Sequence, residues 1–459
     1  MPVLRNLLRK VVRYEPHELR ALLWAFAFFY FVLAAYYVLR PLRESFAVKA
    51  ELDLLASFSL TFGIMLIVMP LYELLVARFQ RRMLVALVYR FFMLQIGAFW
   101  LLFAFFDAGK SPGISQCFFV WLTVFNVLIV AVFWSVLVDL FNKDQGRRLF
   151  GFIAAGGTFG ALSGSIVTST VAQQIGSANI FVISFCLLEA AVQCSRYAVR
   201  AGRAASTTAN TPVLASARDA ENAHGSDSRG PRLFTGLQFV LRSNLLLFIA
   251  LYLLCATISA SFGYAQQNAV VRAQQLEDDA RTQLFANINL VGQLLAGLLQ
   301  AVFAARIVRR FGLGVTLAVL PVFHVLANLT LGCSPYLAPM FELVIIMDVL
   351  RRGIGLGLTT PAREVLFTTL PSEQKYPAKY FIDTVVFRGG DAVALAIYRV
   401  TGAAADIATT ALLVAPLGLV WAALALLLGR LHADGKPARG GSSTGQSEDE
   451  GPNLFVNRG

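Results

Sequence analysis

Apolar segments of about twenty residues recur along the whole chain. They can be placed at 21–39, 54–76, 83–106, 117–140, 149–172 and 179–199, and then at 244–264, 284–306, 312–332, 339–366, 380–400 and 408–430. Each matches the ~20 residues that an α-helix needs to cross the hydrocarbon core of a bilayer. In lipid every backbone N–H and C=O must be satisfied within the segment, so runs of this length are helices. Composition supports the same class. Of 459 residues, 57% are hydrophobic and 14% charged, against about 25% charged in soluble domains. The expectation is an all-α membrane protein with about twelve transmembrane helices, its surroundings the lipid bilayer.

The longest break falls between the sixth and seventh segments. AGRAASTTANTPVLASARDAENAHGSDSRGPR is rich in Ala, Ser, Thr and Arg and reads as a flexible linker. It divides the chain into an N-terminal six-helix half (1–200), a cytoplasmic linker (201–233) and a C-terminal six-helix half (234–432). The remainder, 433–459, is polar and reads as a disordered tail. The N-terminal MPVLRNLLRKVVRYEPHELR is basic and amphipathic. The apolar run after it leads into Arg40 and Pro41 rather than a small-residue cleavage site, so it reads as a retained first span.

Basic residues set the expected topology. Arg78, Arg81 and Arg82 lie between spans 2 and 3, Lys143, Arg147 and Arg148 between spans 4 and 5, and Arg306, Arg309 and Arg310 between spans 8 and 9. QQIGSAN and CSPYLAP carry no basic residue. Under the positive-inside rule both termini are cytoplasmic. The stretch after span 1, with Arg40, Arg43 and Lys49, is the main exception, and Glu44, Glu51 and Asp53 balance it. The net charge of +12 is accounted for by such loops, and nucleic acid is not expected as a partner.

The halves echo each other. Ala77-Arg78 and Arg81-Arg82 recur 228 residues later as Ala305-Arg306 and Arg309-Arg310. Asp144/Glu373, Gln145/Gln374, Phe152/Phe381, Ile153/Ile382 and Gly160/Gly389 are pairs 229 apart. Parallel six-helix repeats joined by a cytoplasmic linker describe the major facilitator architecture.

Within KDQGRRLFGFIAAGGTFGALSG the glycines approach a dinucleotide-binding pattern, but the strand and soluble helix that such a loop requires are missing. Gly156, Gly160 and Gly164 are four apart and share one face of span 5, where they allow another helix close approach. Arg147 and Arg148 are expected to hold cytoplasmic contacts rather than phosphate.

Ionisable groups inside spans are costly and face a cavity or a partner. They include Arg90, Glu189, Asp348, Arg351, Arg352, Arg363, Glu364, Asp383, Arg388, Asp391 and Arg399, with Arg40, Arg43 and Glu44 closing span 1. Asp348 and Arg352 are i,i+4, and Arg388 and Asp391 are i,i+3, which suits ion pairs. Glu189 is within reach of Arg196. Arg90 has no acid within one turn and is therefore a cavity candidate. Guanidinium groups in a cavity favour an anion, because their fork donates two parallel hydrogen bonds. Asn126, Asn287, Asn289, Gln293 and Asn328 either read a base or sugar or bond between helices.

Other chemistries find no support. The five cysteines form no CxxC pair and the four histidines are scattered, so no metal site is expected. Gly109-Lys110-Ser111 lacks the upstream glycine of a phosphate-binding loop, Ala104 standing in its place. No Ser-His-Asp arrangement, catalytic residue or cofactor motif is recognisable.

Three stretches carry a family resemblance: YYVLRPLRESFAV, VFWSVLVDLFNKDQGRRLFGFIAAGGTFGALSG and TTPAREVLFTTLPSEQKYPAKYFIDTVVFRGGDA. They resemble the nucleotide transporters, the ATP/ADP translocases of plastids and intracellular bacteria and their bacterial homologues. That resemblance maps the family's charged element after span 1 onto Arg40, Arg43 and Glu44, and its basic residue of span 11 onto Arg388. The glutamate that ATP/ADP exchangers carry in span 4 is missing from WLTVFNVLIVAVFW, which leaves a related anion open. The resemblance implies a secondary transporter of the bacterial inner membrane, not an enzyme, that moves an anionic, nucleotide-like metabolite by alternating access. With the intramembrane charges Arg90, Arg352 and Asp391 added to the residues the resemblance maps, the expected substrate-binding residues are Arg40, Arg43, Glu44, Arg90, Arg352, Arg388 and Asp391. Two alternatives are a facilitator of another solute (organic anion, peptide or drug) and a non-transporting membrane sensor.

Overall fold

Two aromatic and aliphatic cores organise the molecule, one in each half of the chain. The first gathers Phe28, Phe118, Phe125, Phe133 and Phe181, with Phe29 stacked on Phe133 at 4.1 Å between ring centroids. The second gathers Tyr252, Leu317, Leu366 and Trp421. A computed structural model describes residues 14–79, 81–106, 108–208, 232–333, 339–402 and 406–434. Most of the expected linker (209–231), the N-terminal residues 1–13 and the tail from 435 lie outside the described residues.

The first half contains α1 (Leu19–Lys49), α2 (Leu54–Arg78), α3 (Arg81–Phe105), α4 (Pro112–Leu140), α5 (Lys143–Ile175) and α6 (Ile180–Thr208). A short helix, α7 (Arg232–Arg242), leads into α8 (Asn244–Ala273) and α9 (Asp278–Leu298). Then come α10 (Ala305–Gly332), α11 (Met340–Ile354), α12 (Thr360–Leu366), α13 (Ser372–Phe381), α14 (Phe387–Gly402) and α15 (Ile407–Asp434). No strand occurs among the described residues.

Nine helical stretches of the described residues are long and apolar enough to span a membrane. One of them, Asp278–Gly332, covers 55 residues and holds two passes. Gly312, at φ +81°, breaks its helical path between them, a conformation glycine adopts without the penalty a Cβ would bring. Two further passes, α11–α12 and α13–α14, carry charges of both signs along their length, among them Asp348, Arg351, Arg352, Arg363, Glu364, Asp383, Arg388 and Asp391, and fall short on apolar composition. The chain is thus an integral multi-pass membrane protein, with twelve passes in two groups of six among the described residues.

The glycine stripe of α5 performs the packing expected of it. A Cβ at Gly156 would lie 2.5 Å from the Phe26 carbonyl oxygen, and one at Gly164 would lie 2.7 Å from that of Ala34. Gly160 abuts the Tyr30 carbonyl in the same way. Steps of four on both helices, rising together, mean that α1 and α5 run parallel with backbones in contact. The start of α5 is equally well defined. The Asn142 side chain accepts from Gln145 N at 2.8 Å and Gln145 Oε1 accepts from Asn142 N at 3.0 Å, a capping box. Gln145 and Arg148 then donate to the buried Glu18 at 2.8 and 3.0 Å. Arg148 therefore serves a structural contact.

Three expectations need correction. Helix α1 does not end before Pro41 but continues to Lys49. Proline removes one helical hydrogen bond, and flanking helices make such a loss tolerable inside a membrane bundle. Arg40, Arg43 and Glu44 are consequently helical residues and not a loop. Glu189 pairs with Arg90, at 2.9 Å, and not with Arg196. The repeat register also shifts. Gly390, not Gly389, is the residue that packs on α8, against Leu254 and Thr257, as Gly160 packs on α1. The cause is a π-helical turn at Ile382–Val386, which inserts one residue into the helix. The offset of 229 holds up to Ile382 and becomes 230 beyond it.

Candidate functional site

Charged residues buried within a bundle need a reason, and here most of them converge on one cavity between the halves. It measures about 410 Å³, within the range of small-molecule sites. Helix α1 supplies Tyr37, Arg40, Arg43 and Glu44, spaced so that one face of the helix carries them. Arg351 and Arg352 come from α11, Arg363 from α12, and Arg388 and Asp391 from α14. Six arginines thus face Glu44, Asp391 and Asp348, the last lying buried behind Arg351 and Arg352. The walls carry excess positive charge.

The arginines differ in how many donors they have to spare. Arg352 is the most fully engaged, with a partner at each nitrogen: Nε donates to Asp348 at 2.6 Å, Nη1 to Asn289 at 3.1 Å and Nη2 to Gln267 at 2.9 Å, which leaves one N–H on each Nη to spare. Arg351 shares Asp348, at 2.5 Å. Arg388 approaches Asp391 only to 3.8 Å, while Asp391 accepts from Ser261 at 2.8 Å. Arg43 stands over the Phe119 ring at 4.7 Å and reaches Thr123 at 3.4 Å. The Nε atoms of Arg43, Arg351 and Arg363 are buried without a hydrogen-bond partner. Buried donors of this kind are normally satisfied, so these guanidinium groups are the under-satisfied part of the wall. Phe58, Phe119, Tyr252, Tyr264 and Phe387 add aromatic surface to the same cavity.

The structure brings together Arg40, Arg43, Glu44, Arg352, Arg388 and Asp391, six of the seven residues singled out from sequence. It does not bring Arg90 to them. That side chain pairs with Glu189 across α3 and α6, is half exposed, and lies off the cavity wall. The pairing spans 99 residues, so no local spacing could reveal it. Arg351 and Arg363, which the sequence marks only as intramembrane charges, also line the cavity, and no local pattern marks the aromatic walls. Of the polar residues, Asn289 and Gln293 line the cavity, Asn287 bonds Ser169 across the halves, and Asn328 bonds to His324.

One end of the cavity is sealed by polar contacts between the halves, most of them from α9. Asp278 pairs with Lys49. Asp279 accepts from Ser177 N and Oγ at 2.8 and 2.6 Å, and Thr282 Oγ1 lies 3.1 Å from Ser177 Oγ. Arg281 donates to Ser45 O at 3.1 Å, and Gln283 to Ser169 O at 2.8 Å. Arg399–Asp53 and Arg272–Glu51, both at 3.2 Å, flank this set. Deeper, Gln293 donates to Tyr37 OH at 2.6 Å.

Solved structures resemble this arrangement over nearly its whole length. One is a point-mutant form of the nucleoside transporter NupG, with a TM-score of 0.60 and 11% identity over 90% of this chain and 99% of that chain. Another is a bacterial homologue of the human lysosomal transporter Spinster, inward-facing and unoccupied, with a TM-score of 0.51 and 13% identity over 93% of this chain and 100% of that one. This is the major facilitator fold. Identities so low speak for the fold alone. No protein-family model matches the sequence, and no curated protein matches it, so the likeness to nucleotide translocases rests on the three stretches quoted above.

Proposed function

We infer that the chain is a secondary transporter that moves an anionic, nucleotide-like metabolite across a bacterial inner membrane by alternating access. The observation that carries this reading is the inter-half cavity with six arginines and aromatic walls. Guanidinium forks suit phosphate or carboxylate, and the aromatic rings suit a planar group. Arg43 and Arg388 have donors free for the anion, and Arg40, Glu44, Arg352 and Asp391 complete the charged wall. One structural neighbour is a nucleoside transporter, which agrees with a base-bearing solute. With residues 1–200 and 234–432 as the moving halves and both termini cytoplasmic, the α9 seal lies on the outer side. The described state is then closed outward.

The test of substrate is counterflow in proteoliposomes loaded with unlabelled ATP, ADP or GTP, with labelled nucleotide outside. Accumulation that depends on internal nucleotide is the expected result. Its absence in folded protein, with accumulation of another organic anion instead, would move the reading to a facilitator of that solute.

The test of alternating access uses the seal. In a background freed of native cysteines, Ser177→Cys with Thr282→Cys is expected to form a disulfide under oxidant and to stop transport. Reductant should restore it. Undiminished transport through the oxidised pair would sink the gating role of this end.

A further inference from the structure

Glu44 is fully buried at the cavity, and its carboxylate is surrounded but poorly held. Arg40 Nε donates to Oε1 at 3.4 Å and Arg43 Nη2 lies 3.7 Å away, both on its own helix. From the other half, Asn289 Nδ2 donates at 3.3 Å and Arg352 Nη1 lies at 3.8 Å. None of these approaches the 2.7–2.9 Å of a good charge-assisted bond. The nearby Asp348 shows what a settled carboxylate looks like, with arginine contacts of 2.5 and 2.6 Å. Asp391, the other carboxylate of the wall, accepts from Ser261 of its own half at 2.8 Å and has no hydrogen-bond or ion-pair partner in the other half among the described residues.

We propose that Glu44 is the resident counter-anion of the arginine cluster, occupying it in the empty carrier and yielding it to an oxyanion of the substrate. The proposal rests on the reading of the cavity as an anion site. Three guanidinium groups around one carboxylate leave a buried positive excess, which is costly without further anionic partners. Glu44 reduces that cost but is fixed to α1, so it cannot present its oxygens squarely to any of the forks. A mobile phosphate or carboxylate can align with them and form short parallel bonds. Substrate entry therefore exchanges long contacts for short ones, and substrate exit lets Glu44 close back over Arg352 and Asn289. Two consequences are built in. Glu44 competes with every incoming anion and weakens its binding. It also bridges the halves when no substrate is present, because its partners come from both.

The experiment is a thermal-stability titration of purified full-length protein with pyrophosphate, comparing wild type, Glu44→Gln and Glu44→Asp. Neutral glutamine removes the competitor, so Glu44→Gln should reach half-maximal stabilisation at about tenfold lower pyrophosphate. Glu44→Asp keeps the charge and should stay near wild type. A neutral variant that folds only when purified in pyrophosphate is the same result in extreme form. An equal or weaker pyrophosphate response in Glu44→Gln, no response in any form, or misfolding with pyrophosphate present would overturn the proposal. Pyrophosphate carries no base, so the outcome is separable from the nucleotide reading. Failed nucleotide counterflow with an intact pyrophosphate difference leaves Glu44 its role and removes only the nucleotide.

Discussion

Replacing Arg388 with glutamate should lower transport by about a hundredfold or more while leaving the protein folded. The side chain sits on the cavity wall, 3.8 Å from Asp391 and over the Phe387 ring at 5.6 Å, so its guanidinium is only lightly held. Charge reversal removes a guanidinium from the anion site and sets a carboxylate beside Asp391. Truncating one member of a buried charge pair costs about 2–5 kcal/mol, and reversal adds like-charge repulsion. Uptake of whichever nucleotide counterflow selects is the measurement, with monodispersity and melting as the fold control. Arg388→Lys should lose less, about tenfold, because it keeps the charge and loses the fork. Normal transport by a folded Arg388→Glu protein would exclude Arg388 from the substrate path.

Gly160→Ala should destabilise the protein by about 3 kcal/mol, the upper end for overpacking. Most added methyls push against side chains that can rotate away. Here the obstacle is the Tyr30 carbonyl, and the two backbones can only separate. Gly63→Ala, on α2, is the matched control, because a Cβ there meets nothing within 4 Å. Apparent melting temperatures in one detergent compare the two. Equal melting of both variants would mean that α1 and α5 do not depend on backbone contact.

The glycine contact was legible because it needs only a spacing of four on one helix. Helical spacing also exposed the Asp348–Arg352 and Arg388–Asp391 pairs, and long apolar runs exposed the bundle. Legibility failed where the cause is not local. Pro41 reads as a helix end, since nothing in the adjacent residues announces the neighbouring helices that make its lost bond tolerable. Arg90 reads as unpaired because its acid is on another span. The π-turn at Ile382–Val386 leaves no mark in composition, yet it moved the repeat by one residue. The seal is the extreme case. Asp278, Asp279 and Arg281 look like an ordinary charged turn until the other half of the chain is folded beside them.

That seal has a mechanical consequence. Asp278, Asp279, Arg281, Thr282 and Gln283 fall within six consecutive residues, yet together they hold Lys49, Ser45, Ser177 and Ser169 on two different helices and a connecting turn. This end of the closure is fastened mainly by one bolt, with Arg399–Asp53 and Arg272–Glu51 as lesser fastenings beside it. A shift of one end of α9 releases all these partners together, so leakage and opening speed are governed by the same few atoms. Strengthening the bolt to prevent one would slow the other.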